Sequence, residues 1–251
     1  MQLGFDFSDE IEYQLVESAR IRRASLRVEP GIGLIVTVPR RFPELKVTQL
    51  IESNRQWITD CLAAIERDTP EHYRMWPPRF LDLLATGEHI HLSYEHADRV
   101  FNDSLPGMPP MALNVPVSNW SLLATPSDKQ AVASELAARL KRKARGLLVP
   151  RVTALAHLHR LSFKRVVVRG QKTVWGSYSS SGTLSLNYKL LFLRPRLLDY
   201  VLLHELAHSV VLDHSPKFWS LLCQLDVDAH SLDKELKTAG NLVPPWLELA
   251  S

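Results

Sequence analysis

Hydrophobic and polar positions along this chain change period several times, and each change marks an element. In residues 11–38, S-L-R-V-E-P and G-L-I-V-T-V-P flank Pro30-Gly31, a turn-forming pair, so the stretch predicts strands and a hairpin. Residues 44–67 carry Leu50, Ile51, Trp57, Ile58, Leu62 and Ile65 at the spacing of one helix face. Residues 79–95 predict a second hairpin turning near Gly87. A basic amphipathic helix follows over 127–148, a strand over 163–169, and a hairpin over 173–190 around Ser181-Gly182. In that hairpin Leu184, Leu186, Tyr188 and Leu190 alternate with Ser185, Asn187 and Lys189, so one face is expected to be buried. Residues 195–212 predict a strongly apolar helix, with Pro195 in the first turn and Asp199 near the positive end of the helix dipole. His214-Ser215-Pro216 then breaks the chain before a further helix, P-K-F-W-S-L-L-C-Q-L.

Pro106, Pro109, Pro110 and Pro116 crowd the stretch 102–119, and proline at that density suits neither helix nor central strand. The expected organisation is an N-terminal module over 1–105, a Pro-rich linker over 106–119 and a second module over 120–251. A chain of 251 residues is long enough for such a pair. Two cysteines, Cys61 and Cys223, with no C-x-x-C, exclude a disulfide framework and a cysteine-rich zinc finger. The N-terminus, M-Q-L-G-F-D-F-S-D-E, has acidic residues and no apolar h-region, and no stretch nears the roughly 20 apolar residues of a membrane span. A soluble, cytoplasmic protein without membrane attachment is the expectation. The net charge of +3 permits an anionic partner without requiring one.

The chemistry concentrates in H-E-L-A-H, His204 to His208, inside the apolar helix. Residues four apart on a helix share a face, so the two imidazoles can bind one metal. Two histidines and a glutamate among Leu202, Leu203, Leu206, Val210 and Val211 would be costly to bury without a strong partner, and a zinc ion is one. Shuffling this composition yields H-E-x-x-H only about 0.02 times per chain, so coincidence is a poor account of it. A catalytic zinc takes three protein ligands and keeps an open position. His214, five residues beyond His208, is the expected third. Metzincins use the same gap but turn the chain at a glycine, where this sequence has Val211, so His214 is expected to arrive by another route, at the start of the next helix. Glu205 follows the first ligand and points beside the metal. It is expected to act as general base on a zinc-activated water, with one Zn2+ per chain.

Other features have plainer readings. The run R-L-K-R-K-A-R-G-L-L-V-P-R (139–151) could meet phosphate weakly and without sequence preference, but it also suits the solvated face of a helix buried through Leu136, Leu140, Leu147 and Leu148. His89 and His91, and likewise His157 and His159, read as partly exposed positions in place of ligands. Trp57, Trp76, Trp120 and Trp246 read as packing residues, and Cys223 as a small core hydrophobe.

The stretches V-W-G-S-Y-S-S-S-G-T-L-S-L-N-Y-K-L, D-Y-V-L-L-H-E-L-A-H and D-H-S-P-K-F-W resemble the YgjP-like metallopeptidase family, and more distantly the SprT-like and WLM metallopeptidases. Arg22-Arg23, V-P-R at 38–40 and W-I at 57–58 extend the resemblance weakly into the first half. The resemblance implies zinc on His204, His208 and His214, Glu205 as the catalytic glutamate, and Trp175, Gly176 and Ser177 on a strand bordering the cleft, where an extended peptide can pair with its edge. Val174 stands where the family often has Arg, and Tyr178 where it usually has Cys. The expected fold is α+β, a strand-rich module followed by a zincin-like module built on the H-E-x-x-H helix and an antiparallel hairpin. The expected activity is hydrolysis of peptide bonds in a peptide or protein. The alternatives are a zinc hydrolase of a non-peptide substrate such as a phosphoanhydride, favoured by Arg and Lys around the metal, and a DNA-associated module.

Overall fold

Alternation in the first forty residues produces three strands in the computed structural model, which describes residues 11–30, 32–95 and 117–250. They are β1 (Tyr13–Ser18), β2 (Ser25–Glu29) and β3 (Gly33–Pro39). β2 and β3 form the antiparallel hairpin that the turn signal predicts, with Gly33 at φ 86. β1 lies on the other side of β3, parallel to it, with Tyr13 opposite Leu34. Leu34, Val36 and Val38 of this central strand pack with Val47 and Ile51 of α1 (Glu44–Ser53) and Ile58 of α2 (Arg55–Asp68). A single helix is expected over 44–67, but the chain breaks at Asn54, whose side-chain amide donates to the Leu50 carbonyl at 2.8 Å. Such local bonding by Asn competes with the helix ladder. Trp57 is half-exposed, so it is not the core residue its type suggests.

The chain divides into two compact units after Pro70, ahead of the proline-dense stretch. Residues 106–116 of the expected linker lie outside the described residues, and Val117–Asn119 begin a strand. The second unit starts with the single turn α3 (Glu71–Arg74) and the hairpin of β4 (Phe80–Leu83) and β5 (Glu88–Tyr94), with Gly87 at φ 67 in its turn. β6 (Val117–Leu122) joins β5 in parallel. The basic helix α4 runs over Lys129–His159, well past the predicted end at 148. Asp128 caps it by accepting from the Ala131 amide at 2.9 Å, and Arg160 ends it at φ 55. Pro150 lies on its exposed side, while the buried stripe of Leu140, Ala144, Leu148, Val152 and Ala156 continues through it. Burial along the whole length outweighs one missing backbone bond. Three of the basic residues face carboxylates: Arg139 with Glu135 at 2.6 Å, Lys143 with Glu88 at 2.5 Å, and Arg151 with Asp199.

A third sheet, β7 (Arg165–Arg169), β8 (Gly176–Tyr178) and β9 (Thr183–Asn187), has the order β7-β9-β8. β8 and β9 are the predicted antiparallel hairpin, and β7 adds to β9 in parallel. Strand alternation stops at Asn187 instead of running to Leu190. A 3-10 turn over Tyr188–Phe192 buries all five of its residues, Lys189 included, because Lys189 pairs with Glu248. Then follow α5 (Pro195–Ala207), α6 (Pro216–Leu225) and α7 (Ala229–Leu236), and two C-terminal 3-10 turns, of which Pro245–Ala250 packs on α4. Among the described residues no helix is long and apolar enough to cross a membrane.

Candidate metal centre

The site is built on α5. Leu198, Val201, Leu202 and Leu206 sink this helix into the core, and Glu205 and His208 go with them, at 7% and 8% exposure. The helix stops at Ala207, five residues short of the predicted end. His208 closes it, and a tight turn follows in which Ser209 bonds back to Leu206, and Val210 and Val211 to Ala207. No residue of this turn has a positive φ, so the reversal needs no glycine at Val211. Asp213 accepts from the Ser215 amide at 3.0 Å, ordering the last step into α6. These side-chain and backbone hydrogen bonds from Ser215 hold the Asp213 carboxyl below the usual range. Pro216 occupies the first turn of α6, and His214 is delivered just ahead of it.

The three histidines converge as their spacing predicts. One ligand atom from each of His204, His208 and His214 lies within 4.8 Å of the others. Nε2 of His204 and Nε2 of His214 are 3.0 Å apart. Tetrahedral zinc, with Zn–N near 2.1 Å, separates its nitrogens by about 3.4 Å. Nδ1 of His208 donates to the Val211 carbonyl at 2.9 Å, the outer hydrogen bond that fixes a tautomer with its Nε2 lone pair turned inward. Nδ1 of His204 is buried with no hydrogen-bond partner among the described residues. Asp233 of α7 is the carboxylate that acts on this ring electrostatically. Burial above all, and then the neighbouring His208 and His214, push His204 down to about 4. Burial lowers His208 as well, against the bond to Val211. Both rings are therefore neutral near pH 7, the form that binds a metal. The donor set fits zinc: three imidazoles on one side, with a cavity on the other.

Phe218, fully buried on α6, is the floor of this cluster, with ring centroids 4.9, 4.6 and 4.8 Å from His204, His208 and His214. Its sequence signal is an apolar position four residues past His214, within the D-H-S-P-K-F-W stretch, and periodicity alone does not distinguish it from ordinary core. Among the described residues no other His, Cys, Asp and Glu group has metal-site geometry. His89 is instead bonded to Asp82 at 2.5 Å and stacked on Phe80.

Glu205 is next to the cluster, and burial alone pushes its carboxyl up to about 8. A Cβ built on Gly176 would meet Glu205 Cγ at 2.7 Å, Oε1 at 2.8 Å and Cδ at 2.9 Å. Gly176 is therefore the wall against which this carboxylate lies, and the space is there because the residue has no side chain. A cavity of about 390 Å³ covers the centre, bounded by residues 173–178 on one side and His204, Glu205 and His208 on the other. Trp175, Gly176 and Ser177 all line it, and no Lys or Arg does. Among the described residues β8 pairs only with β9, so its other edge is open. The Trp175 carbonyl accepts from the Asn187 amide at 2.9 Å, and the Ser179 amide donates to the Thr183 carbonyl at 3.0 Å. Antiparallel pairing alternates, so Gly176 and Tyr178 turn their own amides and carbonyls to the open edge.

No protein of curated function matches the chain. Among solved structures, the metallopeptidase zymogen abylysin of Pyrococcus abyssi matches at a TM-score of 0.31 with 24% identity, over 36% of this chain and 90% of that one. The profile of the YgjP-like metallopeptidase domain matches residues 22–239, nearly the whole sequence and all of the residues just described, so the chain belongs to the YgjP-like metallopeptidase family.

Proposed function

We propose that this protein is a zinc-dependent peptidase, a hydrolase whose metal is held by His204, His208 and His214. The observation that carries it is one cavity joining three convergent imidazoles, a buried carboxylate and an open strand edge, with no cation in its lining. When bound there, zinc would lower the pKa of a water, polarise a substrate carbonyl and, as a nearby positive charge, favour the ionised form of Glu205. Glu205 takes the proton of the attacking water and returns it to the departing amine. Gly176 leaves room for that carboxylate and limits where it can lie. The amides and carbonyls of Gly176 and Tyr178 hold the substrate backbone as an added strand, with Trp175 and Ser177 beside it.

Hydrolysis of a phosphoanhydride would need cations where negative charge develops. The Lys and Arg residues just upstream of the metal helix are already engaged: Lys189 with Glu248, Arg194 with Glu235 at 2.5 Å, and Arg196 with Asp226 and Asp228. That favours the peptidase. The weak nucleic-acid contact allowed by residues 139–151 would fall to exposed side chains such as Arg142 and Arg145. Cys61 and Cys223 are free thiols, which suits a cytoplasmic location.

The test is a broad peptide library presented to the zinc-loaded wild type and to Glu205→Gln. Wild type is expected to cleave, and the variant to keep its zinc and lose roughly 10²–10⁴-fold in rate. If wild type cleaves no peptide but hydrolyses nucleotides in a zinc- and Glu205-dependent way, the peptidase assignment is overturned.

A further inference from the structure

A second compartment of about 340 Å³ shares Tyr178, His208 and Leu212 with the cavity over the histidines, so the two adjoin beside the metal centre. The open edge of β8 runs from Gly176, beside Glu205, to Tyr178 at the junction. A backbone paired along that edge is thus led from the catalytic carboxylate towards the second compartment. The Tyr178 hydroxyl donates to the Ser162 carbonyl at 3.1 Å, which fixes the ring as the partition between the two spaces.

The walls of the two compartments differ. The first is lined by Glu205, the three histidines and uncharged residues. The second has an apolar side, Phe163, Val210 and Leu212, and a single cation, Lys164. Val210 and Leu212 are 63% and 60% exposed, apolar surface that a substrate side chain would cover. Lys164 is well placed despite its own exposure. Its amide donates to the Gly182 carbonyl at 2.8 Å, and its Cγ lies 2.9 Å from where a Cβ of Gly182 would be, so its stem follows the hairpin turn. Gly182, at φ 81, leaves that track open. Lys189, Arg194 and Arg196 are all taken by carboxylates, whereas among the described residues Lys164 has no carboxylate within ion-pair distance.

We infer that the second compartment is a substrate subsite selecting a carboxylate, with Lys164 as the residue that sets the preference and Phe163, Val210 and Leu212 contacting the aliphatic part of the same group. The inference rests on the peptidase reading. Two sources of carboxylate fit the chemistry, an acidic side chain near the scissile bond and the C-terminal carboxylate of a short peptide.

The experiment profiles zinc-loaded wild type, Lys164→Met and Lys164→Glu on a peptide library varied on both sides of the scissile bond, each peptide as free acid and as C-terminal amide. Wild type is expected to favour an acidic residue at one position, or the free acid over the amide, by about fivefold in kcat/KM, as befits a partly solvated charge pair. An acidic-residue preference retained in the amides identifies the side chain, and one lost in the amides identifies the C-terminus. Lys164→Met should flatten the preference, and Lys164→Glu should turn it towards Lys and Arg. The position of Lys164 is exposed, and thermal melts of both variants should match wild type. Efficient cleavage with the same profile in all three proteins overturns the subsite and leaves the peptidase standing. Absence of any peptide cleavage by wild type overturns both.

Discussion

Gly176→Ala is the substitution that most directly probes the proposed role of the Glu205 carboxylate. The added Cβ would be 2.7–2.9 Å from three atoms of Glu205, where ordinary contacts are 3.4 Å or more. Gly176 has no positive φ, so alanine brings no backbone strain, and the whole effect is the collision. To clear the new Cβ, the Glu205 carboxyl must shift by about half an ångström to an ångström. Displacement of a reacting group on that scale costs on the order of 10²-fold in rate. Overpacking adds roughly 1–3 kcal/mol of destabilisation. His204, His208 and His214 lie on α5 and the turn that follows it, outside β8, and should keep their metal. The assay combines kcat on the best peptide of the library, zinc per chain by elemental analysis, and urea unfolding. A variant with wild-type kcat would refute the assignment of Gly176 as the wall behind Glu205. A variant without zinc would show that the shift spreads beyond the carboxylate. Gly176→Val is for the same reason unsuited to probing strand pairing, because it strikes Glu205 before it reaches a substrate.

Three further outcomes follow from the structure. Metal-replete wild type should carry about one zinc per chain and the His204→Ala/His208→Ala double variant none, by elemental analysis, with occupancy falling under acid as the imidazoles protonate. In metal-free protein Glu205, raised to about 8, favours folding below pH 4.5, and that stability is lost as pH rises towards 8; Glu205→Gln should therefore be the more stable metal-free protein at pH 7, by on the order of 3 kcal/mol in urea unfolding at 1.36 kcal/mol per pH unit. Lys189→Met should cost about 3 kcal/mol of unfolding free energy by leaving the largely buried Glu248 unpaired, and adding Glu248→Leu should restore most of it.

What could be read from the sequence was whatever depends on spacing within one element. Residues four apart on a helix share a face in any fold, so His204 and His208 were a pair before any packing was known. The Ser181-Gly182 turn likewise marked the β8–β9 hairpin, and Pro216 the start of α6, although β9 is buried on both faces where its alternation had implied one. The YgjP-like resemblance rested on these local motifs and extended to nearly the whole chain. Competition between local and distant interactions was not legible. Asn54 breaks a helix that periodicity would continue, and α4 runs through Pro150 because burial on both sides of it favours the longer helix. Parallel pairing of β1 with β3, β5 with β6 and β7 with β9 leaves no local trace, since the partners meet only after the chain has crossed over. Tertiary structure alone set Phe218 beneath three imidazoles, Gly176 behind Glu205, and Lys164 in the cleft beyond Tyr178. Each of these is a contact between different elements, which packing alone brings together. Side-chain chemistry names the groups that can react, and packing decides which of them share a space.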